Sequence, residues 1–224
     1  MPRVVTIIKT LYQFDELPTA AAKEKARDWY RELAASDDLL ELCLDDFESI
    51  AKILGVEFDT REIHSARTGR TRYEKRVYYS GFSSQGDGAS FDGRYSYVAD
   101  APKKIREYAP QDAILHAIAD DLESLQNKYG KQLYAKTNVS GHYVHANCMA
   151  VDVACADDGD YGINADSLII DDEKELTQIL RRFANWIYRQ LEQAYDYNMS
   201  DESVDENIRI NEYEFNETGK RDHD

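Results

Sequence analysis

The spacing of apolar positions changes period several times along the chain, and each change marks a predicted element. "RVVTIIKTLYQF" opens with β-branched residues and reads as a strand. "LPTAAAKEKARDWYRELAA" follows with Ala26, Trp29, Tyr30 and Leu33 at helical spacing. A second helix has Ser36 as its N-cap, with Asp37 and Asp38 at the positive end of its dipole. Leu40, Cys43, Leu44, Phe47, Ile50, Ala51 and Leu54 form its apolar stripe, and Gly55 supplies a left-handed cap. Residues 56–98 alternate with period two: "VEFDTREIH" and "YEKRVYYSGF" flank a turn at Thr68–Gly69, and "SFDGRYSYV" adds a third strand.

Asp100 and Pro102 start another helix, which Pro110 interrupts. The next one carries Ile114, Leu115, Ile118, Leu122 and Leu125 and stops at Gly130. "KQLYAKTNVS" and "GHYVHANCMAVDVACA" read as strands, the second alternating Met149, Val151, Val153 and Cys155 against Ala150, Asp152 and Ala154. "DDGDYGINADS" is a loop of turn formers, and the longest helix runs from Asp171 to about Tyr197. Ser200 caps a short final helix, "NEYEF" is extended, and the residues from Glu217 are expected to fray. Helices and strands come in clumps, so the expected fold is α+β: a mainly antiparallel sheet of about five or six strands against several helices. It is expected as one domain over residues 1–216, with 217–224 as an acidic tail.

Charge sharpens this picture. The net charge is −16, and residues 152–175 and 196–224 together carry almost all of it. "SDDLLELCLDDFE" adds six acids without a base, whereas residues 61–76 hold six bases and two acids. Such a chain is expected not to bind nucleic-acid backbone directly, and its acidic field favours a basic partner surface. No apolar run approaches the ~20 residues of a membrane helix. The three widely spaced cysteines read as reduced thiols of a cytoplasmic protein. No cofactor, metal or membrane is expected, and the broad aromatic faces admit a homodimer.

Candidate chemistry is sparse. In "GFSSQGDGASF", Ser83, Ser84, Gln85 and Asp87 are dense donors and acceptors between Phe82 and Phe91, and three glycines allow close backbone approach. The stretch lacks the lysine and following helix of a phosphate loop and the strand–turn–helix context of a nucleophile elbow. It reads as a hairpin connection or a recognition loop. His142 and His145, if they lay in one strand, would face opposite sides and could not share a metal. "DDGDYG" has the oxygen density of a calcium loop without its glutamate at position twelve. No catalytic residue is assigned, and the chain reads as a binding protein rather than an enzyme. A hydrolase site assembled from distant residues is a third, weaker reading.

"YYSGFSSQGDGASF", "YAPQD", "GHYVHANCMAVDV", "FANWIYRQLEQAYDY" and "SDESVDENIRINEYEF" together resemble a phage-encoded family of hypothetical proteins often labelled "antitoxin of toxin–antitoxin stability system". The resemblance runs from about Val77 to Phe215 and implies a phage or prophage origin and an accessory role against a host system. Charge and resemblance lead to one expectation: an inhibitor or antidote in the host bacterial cytoplasm. It would bind a defence or toxin protein, a CRISPR complex for example, with carboxylates standing in for phosphates. The expected partner-binding residues are Asp37, Asp38, Glu41, Asp45, Asp157, Asp158, Asp160, Asp171, Asp172, Asp201, Glu202, Asp205 and Glu206. The alternative is a sponge for a small nucleotide signal, using Ser83, Ser84, Gln85 and Asp87 with Arg70 and Arg72 of the basic hairpin.

Overall fold

Capped helices and short antiparallel ladders account for most of the computed structural model, which describes residues 9–35, 39–64, 69–156 and 170–221. The fold is α+β, with antiparallel pairing throughout and a long helix near the C-terminus. The chain divides into two compact units: residues 1–39 with 192–224, and residues 40–191.

In the larger unit, α2 (Leu39–Leu54) buries Phe47, Ile50, Ala51 and Leu54. α1 (Ala20–Ala34) precedes it in the other unit. Gly55 ends α2 at φ +85°, and its Cα lies so close to the Ser96 carbonyl that no side chain fits. One sheet has the order β2 (Val56–Phe58), β7 (Gly93–Ser96), β8 (Leu133–Val139), β9 (Met149–Cys155). The other strands pair as separate hairpins: β3 (Thr60–His64) with β4 (Thr71–Lys75), and β5 (Val77–Ser80) with β6 (Gly88–Phe91). The strands are therefore spread over several small ladders, not gathered in one sheet of five or six.

α3 (Ala101–Tyr108) and α4 (Ala113–Lys128) follow. Asp112 caps α4, accepting from the Ile114 and Leu115 amides at 3.0 Å each. Its other oxygen accepts from Trp186 Nε1 at 2.7 Å. Buried Gln126 closes the end of α4 onto β8 by donating to the Leu133 carbonyl and accepting from the Leu133 amide. It also donates to Tyr95, whose hydroxyl burial pushes up to about 12. α5 (Ile170–Met199) buries Leu176, Ile179, Leu180, Phe183, Trp186, Ile187 and Leu191 in this unit. Phe58, Phe91, Phe183, Trp186 and Phe47 form a chain of ring contacts through the core.

The smaller unit joins the two ends of the chain. β1 (Tyr12–Gln13) pairs with β10 (Glu214–Phe215), and α1 packs on α6 (Asp201–Ile210). Thr19 and Ser200 cap these helices, as the sequence predicts for Ser200. Phe14, Leu17, Ala22, Ala26, Val204, Ile208 and Phe215 form its core, with Trp29 in edge contact with Tyr213 and Phe215. Leu33, placed on the apolar stripe by spacing, is exposed.

The expected fray from Glu217 is corrected through Arg221. Asn216 folds the segment back by accepting from the Thr218 and Lys220 amides. Arg221 then lies over the Trp29 and Tyr213 rings at 4.9 and 4.5 Å. Among the described residues no helix is long and apolar enough to cross a membrane.

Candidate functional site

The serine–glycine stretch is the connection of the β5–β6 hairpin, and the Asp87 carboxylate occupies it. One Asp87 oxygen accepts from the Ser83 amide at 2.9 Å and the Ser84 amide at 2.6 Å. An outside anion would have to displace that carboxylate to reach these donors. Phe82 stacks between Tyr79 and Tyr188, and the Tyr188 hydroxyl donates to the Gly81 carbonyl at 3.1 Å. Gly86 takes φ +100° beside the Tyr143 ring, and Gly88 lies so close to His145 that a Cβ would come within 2.6 Å of the imidazole's own Cβ. Ser83, Ser84 and Gln85 remain exposed.

The basic hairpin is similarly committed. Arg61 and Arg72 both pair with Glu74, and Lys75 pairs with Glu48 at 3.1 Å. Arg70 is exposed just before β4. Arg76 reaches the carboxylate of Asp92 at 2.8 Å, a residue only 2% exposed. Asp92 also accepts from Tyr78 at 3.2 Å and from the Val139 amide at 2.5 Å. The Tyr78 hydroxyl, followed by Asp92, holds Arg76 firmly charged. This cluster around the buried Asp92 carboxylate ties β5, β6 and β8 together. The sequence offered little sign of it, because its members come from separate strands.

His142 and His145 do not lie in a strand. They precede a 3₁₀ turn at Ala146–Cys148, and β9 begins only at Met149. The alternation argument for their opposed faces therefore does not apply. Instead Cys148 Sγ sits 3.5 Å from His145 Nε2 and 3.6 Å from Nδ1.

The expected partner-binding acids separate into three groups. Asp37, Asp38, Asp157, Asp158 and Asp160 lie outside the described residues. Asp172, Asp201 and Asp205 are consumed by internal pairs. Asp172 accepts from Tyr129 at 2.7 Å and Lys128 at 3.0 Å, and these two, in that order, hold its carboxyl below the usual range. Asp205 receives the Arg27 fork at 2.7 and 2.8 Å, while Asp201 pairs with Arg31 at 2.5 Å and Arg27 at 3.3 Å. These two aspartates join α6 to α1 and are not a free acidic surface.

The remaining exposed acids are Glu41, Asp45, Asp171, Glu202 and Glu206, while Asp201 is exposed but paired. Asp171 meets Lys174 at 3.2 Å. Glu202 and Glu206 stand one turn apart on α6 and make no ion pair among the described residues. Like charges at this spacing destabilise a helix by ~0.2–0.5 kcal/mol, a cost that the helix dipole offsets at Glu202 in the first turn of α6.

Residues 39–201 match a family described as "Domain of unknown function (DUF8835)", and the chain belongs to that family. The match takes in all of the larger unit. No curated protein and no solved structure matches the chain.

Proposed function

We propose that this DUF8835 member is a stoichiometric inhibitor or antidote that docks its acidic faces on a cationic, nucleic-acid-binding surface of a bacterial defence or toxin protein. The observation that carries the reading is the division of labour on α6. Asp201 and Asp205 neutralise Arg27 and Arg31, whereas Glu202 and Glu206 are exposed and have no cation partner among the described residues. Two carboxylates whose residues lie about 6 Å apart along the axis are spaced to meet Arg or Lys forks on a partner. The overall charge of −16 adds steering and makes association depend on salt. The proposal concerns this chain in particular, because Glu202 and Glu206 follow the last residue that the family match covers. A phage or prophage origin, with action in the host cytoplasm, fits this role.

The nucleotide-sponge alternative finds less support, since Asp87 fills the loop amides and Arg61, Arg72 and Arg76 already have carboxylate partners. Thermal-shift measurements with millimolar nucleotides distinguish the two readings. No stabilisation is expected, and a shift of several degrees would favour the sponge. The direct test is capture of a partner at graded salt by the wild type and by a Glu202→Lys/Glu206→Lys variant.

A further inference from the structure

A cleft of about 380 Å³ opens between α4 and α5 in the larger unit. Ile114, Ala117 and Trp186 line its apolar part, and Arg182, Asn185 and Arg189 line it from successive turns of α5. Ile114 belongs to the helical stripe read as core, yet it is 40% exposed. Arg182 is held by Asp121 at 2.5 Å, whereas Arg189 is exposed and makes no ion pair among the described residues. On a chain this acidic, a cleft that combines exposed apolar surface with two guanidinium groups stands apart.

The same unit carries the complement. Leu42 on α2 is 71% exposed, with Glu41 beside it and Asp45 almost one turn further on. The Asp45 carboxylate makes no ion pair among the described residues. An apolar knob next to carboxylates matches an apolar cleft next to guanidinium groups, in both shape class and charge sign. The two features also lie on neighbouring elements, because Phe47 of α2 touches Trp186 of α5 with ring centroids 5.7 Å apart. Leu42 lies five residues before Phe47, about 140° around the helix, and so faces away from that contact. Knob and cleft on adjacent helices allow a two-fold exchange in which each copy both gives and receives, which closes the assembly at two.

We propose that the chain forms a two-fold dimer in which each copy seats Leu42 in the α4–α5 cleft of the other, with Asp45 opposite Arg189. The occupant is a second copy, and the contact does not involve the α6 carboxylates, so it stands or falls separately from the binding role. The test is sedimentation equilibrium of the full chain across a concentration series. The wild type is expected at twice the chain mass.

Leu42→Asp and Arg189→Glu each alter an exposed side chain and are expected to weaken the dimer at least about ten-fold. Asp45→Arg should weaken it too, and combining Asp45→Arg with Arg189→Glu should restore much of the loss. Circular dichroism on each variant confirms that the fold is kept. A wild type that is monomeric at every concentration overturns the proposal, as does a dimer indifferent to both Leu42→Asp and Arg189→Glu. Binding of an added acidic amphipathic peptide in the cleft of a monomeric chain overturns it as well.

Discussion

Replacing Asp205 by alanine should cost far more than replacing Glu206, although both are acids on the same ten-residue helix. Asp205→Ala removes both acceptors of the Arg27 fork, at 2.7 and 2.8 Å, where the two side chains keep only 21% and 16% of their exposure. Hydrogen bonds to charged groups contribute roughly 1.5–3 kcal/mol each. Arg27 retains Glu24 at 3.0 Å and Asp201 at 3.3 Å, so the guanidinium is not stranded and the larger penalty for an unpaired buried charge does not arise. The expected loss is about 2 kcal/mol. Glu206→Ala removes a carboxylate with no ion pair among the described residues and relieves its repulsion with Glu202, so stability should hold or rise by ~0.2–0.5 kcal/mol. Urea unfolding gives both numbers, and hydrogen exchange on peptides from α1 and α6 locates the change. Equal losses in the two variants would refute the division between structural and outward-facing acids.

Acid should destabilise the larger unit partly through Asp172, which Tyr129 and Lys128 hold below its ordinary carboxyl value of 3.8. Because the folded form has the lower pKa, this contribution is present above about pH 4 and is lost as pH falls through the folded value. Asp172→Asn should therefore flatten the acid limb of a stability–pH curve and leave the neutral limb parallel to wild type. At Gly219, φ is +77° and any Cβ would overlap the Ala22 carbonyl. Gly219→Ala should detach residues 216–221 from α1, read as faster proteolysis near Lys220. Gly69→Ala, at φ +65° with open space around it, should cost only about 1 kcal/mol.

Local patterns were legible where one element carried the whole signal. The Ser200 cap, the Gly55 terminus, the alternation of β9 and the stripe of α5 all follow from residues within a few positions of one another. Pairings across the chain were not legible. Arg27 and Asp205 are 178 residues apart, so counting formal charge treated Asp205 as free when it is structurally committed. The same limit applies to Asp92, whose donors come from two separate segments, Arg76 with Tyr78 and Val139, and to the tail, where Gly219 and Arg221 settle on α1. The His142–Cys148 stretch misled because period-two spacing was extended seven residues upstream of the strand that owns it. For the candidate site, sequence supplied the acidic character, and the structure separated the exposed carboxylates from the paired ones.

Outward carboxylates on α6 are proposed to engage a cationic partner. That engagement is tested most directly by affinity capture from bacterial lysate with the wild type and with Glu202→Lys/Glu206→Lys, at salt from about 0.1 to 1 M, over which the screening length falls from ~10 to ~3 Å. A partner should be retained at low salt, released as salt rises, and missing from the variant while the variant's circular dichroism matches wild type. A partner held equally by both proteins, or held unchanged at the highest salt, would contradict it.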